Sequence, residues 1–356
     1  MHKVRAKRRV LLITLTVLLT FGPSINRSAA APPHQEISVN WMESPQTFCI
    51  GRFVLQMPAN FQSKWQKYTY NGSEIEITPN VSRLRFDDIV REREHELTDK
   101  MRTDNSGRTL LQTDISWLEK VVSPQSTSRL FIFRDSNNRD IKLGLGYVTE
   151  GYVWDDGAMF LFKSDAAETR VDAAVAADSD IMGRIKARDN HTVPTEPGYC
   201  FNGGLITGGT EFFELAKAYF ERPSTPGGAI FGVEMRPNLP SDDTLFERVP
   251  KLAQMMGNLI SHTRTLRRRE RPLAGLDGQE MLTQISANGV TAYYFIWEAK
   301  GAPDSVIHPN THIELRIGGE HNKQTNRRES SALSEEDALV LWDIMLNSFH
   351  LRPGAL

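Results

Sequence analysis

The chain has 356 residues, which is long for one hydrophobic core and is typical of two domains. Its composition, 40% hydrophobic and 24% charged, excludes a disordered or fibrous chain and indicates a globular protein. The formal net charge of −2 provides no basic excess for binding nucleic acid.

The first thirty residues have the three parts of a secretory signal peptide. A basic segment precedes the apolar segment Val10–Phe21, and small residues lead to a cleavage position after Ala30. An uncleaved anchor is the alternative, but the apolar segment is shorter than the roughly 20 residues that span a bilayer. We therefore expect a signal peptide over 1–30, export of the chain, and no stable membrane anchor after cleavage.

The signal peptide also changes the charge balance. Without it, 36 basic residues remain against 44 acidic ones. This acidic excess disfavours nucleic acid and anionic membranes as partners and favours a basic or mixed protein surface.

The first part of the exported chain is predicted to be an α+β domain over 46–188, after a polar leader over 31–45. Asn71-Gly72 between two alternating segments is a strong hairpin signal. The predicted elements are a strand at 49–58, a hairpin at 64–78, a helix at 86–101, strands at 109–122, 129–133, 141–148 and 152–162, and a helix at 167–187.

A polar segment containing two prolines predicts a linker over 189–197, followed by a second domain over 198–356. The clearest helix of the chain starts near Ser334, with Asp337 completing a capping-box-like pattern. The predicted elements are a strand from 200, strands at 213–220 and 229–235, a helix at 243–261, strands at 279–285, 291–299 and 311–317, and this last helix. We therefore predict two α+β domains of similar element order, each an antiparallel sheet packed with helices, and hypothesise an internal duplication.

Catalytic and cofactor motifs are absent from the sequence. It contains no Gly-x-Ser-x-Gly, Ser-x-x-Lys, His-Glu-x-x-His or Cys-x-x-Cys pattern, and its glycine pairs lack a phosphate-loop frame. His308, His312 and His321 are a loose metal candidate, but Pro309-Asn310 would break a helix that aligned them, which favours surface histidines. We expect no cofactor, no metal and no enzymatic activity.

Two segments are candidates for contact with a protein partner. Trp154-Asp155-Asp156-Gly157 is predicted to be a hairpin tip; its tryptophan is either an exposed hot spot or half-buried in the turn. The arginine run at 267–269 either meets an acidic partner or belongs to a solvated strand, in which alternate side chains face opposite sides. The predicted partner-binding residues are Trp154, Asp155, Asp156, Arg267 and Arg269.

The second half resembles the C-terminal domain of the lipase-immunity proteins of bacterial type VI secretion. The resemblance rests on ordered phrases: "YCFNGGLI" from Tyr199, "RRRERPLAGLDGQEML" from Arg267, "YYFIWEAKGAPDSVIHPNTHIEL" from Tyr293 and "LVLWDIMLNSFHLRP" from Leu339. The first half is similar to the family's N-terminal domain in "FCIGRFVLQMP" and "RFDDIVREREHEL". The resemblance implies a periplasmic immunity protein that binds a cognate α/β-hydrolase phospholipase effector, blocks its active site and protects the producing cell.

Two other classes of function are alternatives. One is an exported hydrolase whose carboxylate or histidine site has no local motif, with Glu280 and His312 as candidates. The other is an envelope module that binds a small ligand.

Cys49 and Cys200 are the two cysteines of the chain. Two cysteines in an oxidising compartment are expected to pair, so we predict a Cys49–Cys200 disulfide. Two separate buried thiols are the alternative.

Overall fold

The computed structural model describes residues 44–106, 109–136, 145–222, 228–237, 243–249, 262–303, 305–322 and 326–356. All of them belong to one compact unit, Trp41–Leu356. The predicted signal peptide and nearly all of the leader lie outside the described residues, as do 141–144 and 250–261 of two predicted elements. Within the described ranges, no helix is both long enough and apolar enough to cross a membrane.

The elements of the N-terminal half, in chain order, are β1 (Gln46–Ile50), β2 (Phe53–Met57), β3 (Gln62–Tyr70), β4 (Ser73–Thr78), α1 (Arg83–Asp99), β5 (Met101–Ser106), β6 (Thr109–Ser116), β7 (Leu118–Val122), β8 (Ser128–Phe133), β9 (Leu145–Asp155), β10 (Ala158–Ala167), α2 (Val171–Arg184) and β11 (Ile185–Ala187).

Those of the C-terminal half are β12 (Gly198–Phe201), β13 (Gly204–Thr207), β14 (Glu214–Arg222), β15 (Ala229–Arg236), β16 (Thr263–Glu270), β17 (Gly278–Ala287), β18 (Val290–Ala299), β19 (Asn310–Ile317), β20 (His321–Asn322), β21 (Arg327–Arg328), α3 (Glu335–Asn347) and β22 (His350–Leu351). Residues 245–249 are also helical, within the predicted helix at 243–261.

One twelve-stranded sheet runs through both halves, in the order β16-β17-β18-β19-β15-β14-β3-β4-β10-β9-β8-β7. Its strand pairs are antiparallel. Antiparallel sheets packed with helices were predicted, and this part of the fold class is confirmed. The prediction of one sheet for each half is wrong, because β3 and β14 pair along their whole length and join the halves.

The halves repeat one topology on either side of this central pair. Counted outwards, the N-terminal half contributes β3, β4, β10, β9, β8 and β7, and the C-terminal half contributes β14, β15, β19, β18, β17 and β16. In each half the first two strands form a hairpin and the last four form a meander. The order of elements predicted from the sequence thus corresponds to a repeated pairing order in space.

Elements pack on both faces of the main sheet, over much of one face and over the outer strands of the other. On one face, α2, α3 and two three-stranded sheets pack into a large apolar core that includes Met182, Trp342 and Phe201. On the other face, α1 packs over the outer strands of the N-terminal half through Phe86, Val90 and Leu97.

The two small sheets interlock the halves. Strand β11 of the N-terminal half pairs with β13, and β22, near the C-terminus, pairs with β2. A buried ion pair, Arg52–Glu214, lies at the same junction, and Arg52 also donates to the carbonyl of Ala355 at 2.5 Å. Neither half therefore completes its own small sheet.

The predicted disulfide is confirmed. Cys49 in β1 and Cys200 in β12 are bonded, with a Cα–Cα distance of 5.7 Å. Residues 49–58, predicted as one strand, instead form the β1–β2 hairpin, in which Gly51 has a positive φ of 60°. Gly51 exchanges two backbone hydrogen bonds with Cys200, at 2.8 and 2.7 Å, so the turn and the disulfide fix the same contact between the halves.

Candidate functional site

The candidate site is the middle of the sheet face that carries α1. Side chains alternate along a strand, so Ala216, Ala218 and Phe220 of β14 face the core while Lys217 and Tyr219 face the opposite side. We call the surface formed by these outward side chains of β4, β3, β14, β15 and β19 the open face. In the described part of the chain, the helices on this side lie over the outer strands, α1 through its apolar contacts and 245–249 through a hydrogen bond from Phe246 to Gln279.

Two lysines lie opposite each other at the centre of the open face. Lys67 of β3 and Lys217 of β14 are direct partners across the central strand pair. Like charges in this position repel each other, and each lysine is compensated by a glutamate from its own half. Lys67 contacts Glu74 at 2.6 Å and Lys217 contacts Glu234 at 2.5 Å.

An aromatic pair lies beside the lysines. Trp65 of β3 and Tyr219 of β14 are cross-strand partners, with ring centroids 5.8 Å apart. The hydroxyl of Tyr219 donates to Glu234 at 2.6 Å. Trp65 is 49% exposed, so this pair presents apolar area within a polar surface.

The C-terminal part of the open face is a buried charge network around His312. Its ring contacts Glu298 at 2.7 Å and Glu314 at 3.6 Å. Burial lowers the pKa of His312, but the two carboxylates outweigh burial and raise it to about 10. The imidazole is therefore a fixed cation at neutral pH, and Arg248 and Arg316 add further positive charge to Glu298 and Glu314 respectively.

The predicted hairpin tip is present, but its first two residues make intramolecular contacts. Trp154 is half-buried and its indole donates to the carbonyl of Val81 at 2.7 Å. Asp155 accepts the backbone N–H of Ala187 at 2.7 Å. Asp156, with a φ of 42°, is exposed at the tip. A role of these residues in partner binding stays a prediction.

The arginine run lies in β16 and alternates as expected. Arg267 and Arg269 face the core side, where both reach the fully buried Glu280, at 2.8 and 2.9 Å. Arg268 lies on the opposite side, over the ring of Phe246 at 4.3 Å. Arg267 and Arg269 are thus members of an internal charge cluster, and their contact with a partner stays a prediction.

The histidines and carboxylates considered for metal binding or hydrolysis are not assembled into one site. Glu280 faces α3, where Trp342 donates to it at 2.7 Å, whereas His312 lies on the open face on the other side of the sheet. His308 contacts Ser305 within its own loop at 3.2 Å. The described residues contain no group of three or more His, Cys, Asp or Glu side chains that could hold a metal ion.

A cavity of about 350 Å³ opens near the start of the helical residues 245–249. Its lining includes the carboxylates of Asp243, Glu270, Asp277 and Glu298, together with Lys300. Acidic side chains thus predominate among its charged residues.

Sequence reasoning missed the central residues of the open face. Lys67 and Trp65 lie in β3, whereas Lys217 and Tyr219 lie in β14, which is far away in the sequence, and no local motif links the two strands. The available signal was the alternation in "ELAKAYFER", which places Lys217 and Tyr219 on one face of β14.

Comparisons with known proteins account for both halves. A model of the N-terminal domain of Tle cognate immunity protein 4 matches residues 46–190, and a model of its C-terminal domain matches residues 192–354. The fold and these matches define the chain as an immunity protein. More specifically, it belongs to the family of Tle cognate immunity protein 4, the type VI secretion lipase-immunity proteins, as the sequence resemblance predicted.

Solved structures show the same fold. A chain of the crystal structure of the Tle4–Tli4 complex is 22% identical, with a TM-score of 0.74, over 88% of this chain and 99% of that one. The apo structure of the type VI secretion immunity protein TplEi of Pseudomonas aeruginosa is 21% identical, with a TM-score of 0.70, over 87% and 97% of the two chains. TplEi complexed with an "L" peptide gives a TM-score of 0.66 at 21% identity, over 88% and 99%. No curated protein sequence matches significantly.

Proposed function

We propose that this chain is a periplasmic immunity protein that binds a cognate type VI lipase effector and blocks access of lipid to its active site. The observation that carries the proposal is the match of both halves to one immunity family. The partner is expected to have an α/β-hydrolase fold, as the family resemblance implies. The predicted signal peptide and the Cys49–Cys200 disulfide support an oxidising compartment.

The open face is the surface that we assign to effector binding. It combines residues of both halves on strands that are hydrogen-bonded to each other, so its geometry is fixed before binding. A preformed surface loses less conformational entropy on association than a flexible one. Its ion pairs provide a polar rim, and the aromatic pair provides apolar area.

The repeated topology supports an internal duplication as the origin of this surface. Corresponding strands β3 and β14 meet at the centre, and the disulfide joins the corresponding first strands of the two N-terminal hairpins, β1 and β12. In this account, the open face formed when two copies of one module joined edge to edge.

The test is inhibition of the cognate type VI lipase effector. Purified effector is assayed on phospholipid vesicles while the mature, oxidised protein is titrated in, and complex formation is followed by size-exclusion chromatography. We expect inhibition that saturates at a fixed stoichiometry, and an unrelated lipase serves as the control. Undiminished hydrolysis with separate elution of the two proteins would contradict the proposal.

The alternative functions give different results in the same assay. An exported hydrolase would turn over substrate without the effector and lose activity in a His312→Gln variant. A small-ligand module would leave effector activity unchanged and show a ligand-dependent rise in its melting temperature.

A further inference from the structure

Trp65 differs from the other tryptophans that the structure describes. The indole N–H groups of Trp117, Trp154, Trp297 and Trp342 all donate to acceptors within the protein, at 2.7 to 3.0 Å. For Trp65, the described residues provide no acceptor, and the side chain is 49% exposed. Trp65 therefore presents both apolar area and a free donor at the surface.

The neighbour of Trp65 is held rigidly. The ring of Tyr219 lies over Gly232, where a Cβ would come within 2.5 Å of the ring. Its hydroxyl is fixed by Glu234 at 2.6 Å. The aromatic pair thus rests on a paired central strand, and little ordering of Tyr219 is needed when a partner binds.

Ion pairs flank the aromatic pair. Lys64 and Glu221 contact each other at 2.7 Å, and both are about two-fifths exposed. Lys67 and Glu74 form a similar half-exposed pair at 2.6 Å. A large aromatic residue surrounded by polar groups that already have partners is the arrangement of an interface hot spot, where the surround excludes water from the centre.

We propose that Trp65, supported by Tyr219, is the anchor through which this chain holds its cognate effector. This inference rests on the proposed function and adds to it the residue that contacts the effector. The effector supplies an apolar recess for the indole ring and an acceptor, a backbone carbonyl or a carboxylate, for its N–H. A lipase acts on lipid surfaces and must expose apolar area, which is why the effector is the expected occupant.

The test measures effector binding by three variants of the full chain. Trp65→Ala removes both the apolar area and the donor and should weaken binding at least about 30-fold, which corresponds to a hot spot of about 2 kcal/mol. Trp65→Phe keeps an aromatic ring but loses the donor and should weaken binding by about tenfold. Val340→Ala removes a half-exposed apolar side chain from α3, on the opposite face of the sheet, and should bind like the wild type.

The outcomes separate this inference from the proposed function. If the wild type forms no complex, the proposed function fails. If the wild type binds and Trp65→Ala binds within threefold of it, Trp65 is not the anchor. Sedimentation of the chain alone tests a second copy as the occupant: a dimer that Trp65→Ala dissociates would overturn the assignment to the effector. Unchanged circular dichroism and melting temperature of Trp65→Ala establish that weaker binding does not reflect unfolding.

Discussion

The two halves of the main sheet share one strand order but bury different chemistry on the face that carries α1. In the N-terminal half, α1 places Phe86, Val90 and Leu97 against Phe131 and Phe133 of β8, which forms a separate apolar cluster. In the C-terminal half, the corresponding surface is charged. Its buried or half-buried side chains include the network of Tyr294, Glu298, His312, Glu314 and Arg316.

One pair of corresponding positions shows the contrast directly. Glu76 of β4 is paired with Leu161 of β10, and Glu234 of β15 is paired with His312 of β19. Leu161 packs against the apolar cluster, whereas His312 joins two carboxylates. The topology thus fixes which face a residue occupies, and each half has filled that face differently.

The core-facing side of the sheet also differs between the two halves. Under α2, Ile181 and Met182 pack against the sheet as ordinary core residues. Under α3, Glu280 is fully buried among arginines of β16 and the following residues, and Asp343 of α3 joins them. The N-terminal half also buries a charge, Glu150, which Arg93 of α1 pairs at 2.8 Å beside the apolar cluster. The C-terminal half buries the larger network on both faces of the sheet, and these charges must stay paired.

The largest expected loss of stability is that of the variant Glu280→Ala. The variant leaves Arg267, Arg269 and Arg271 without their shared carboxylate, and removing one partner of a buried ion pair costs about 3–5 kcal/mol. Urea unfolding should show this loss in the free energy of unfolding. The control is Glu76→Ala, which removes an exposed carboxylate and should change stability by less than about 0.5 kcal/mol. Equal stability of the two variants would contradict the dependence on buried charge.

Removal of the disulfide has the next largest expected effect on stability. The double variant Cys49→Ala, Cys200→Ala should unfold at lower urea concentration, with a loss of about 2–5 kcal/mol, because the bond spans 151 residues and restricts the unfolded chain. The wild type in reducing agent should unfold at the same urea concentration as the double variant. Reducing agent should not change the unfolding midpoint of the double variant. A wild type that keeps its midpoint after complete reduction would show that the interlocked sheets hold the halves together without the bond.

Local signals in the sequence predicted much of the secondary structure. Asn71-Gly72 marks the β3–β4 turn, where both residues have positive φ, and Ser334 caps α3 by accepting the N–H of Asp337 at 3.1 Å. The β1–β2 hairpin was missed, because Gly51-Arg52 lies within a continuous apolar segment and has no Asn-Gly or Pro signal. The turn is instead stabilised by its contacts with Cys200 and Glu214, which are distant in sequence.

The site was less predictable than the fold. The candidates chosen from sequence were conspicuous local patterns, the Trp154 turn and the arginine run, and the structure gives most of them internal partners. The open face arises because β3 and β14 pair, which alternation within either strand cannot reveal. Long-range strand pairing therefore accounts for both the single sheet and the site.

Substitutions at two glycines test how tightly the core is packed in each half. At Gly278 of β17, an added Cβ would lie 2.3 Å from the ring of the fully buried Trp297. At Gly151 of β9, it would lie 2.8 Å from the sulfur of Met182, a flexible side chain that can move. Gly278→Ala should therefore lose about 1–3 kcal/mol of stability and Gly151→Ala less than about 1 kcal/mol, measured by urea unfolding. The opposite ranking would show that the core under α2 is the more tightly packed one.

A pH dependence of stability also distinguishes His312 from Leu161. The pKa of His312 is about 10 in the folded chain against 6.5 as its ordinary value, so the folded state binds the proton more tightly. Its stabilising contribution is then complete below about pH 6.5 and declines as the pH rises towards 10.

Relative to His312→Gln, the wild type should lose at most about 1.4 kcal/mol of unfolding free energy per pH unit between pH 7 and 10. Leu161→Ala, which changes the corresponding apolar position, should lower stability by a constant amount across that range. Parallel profiles for the wild type and His312→Gln would mean that Glu298 and Glu314 do not hold the proton on His312, and the contrast between the halves would then be one of packing alone.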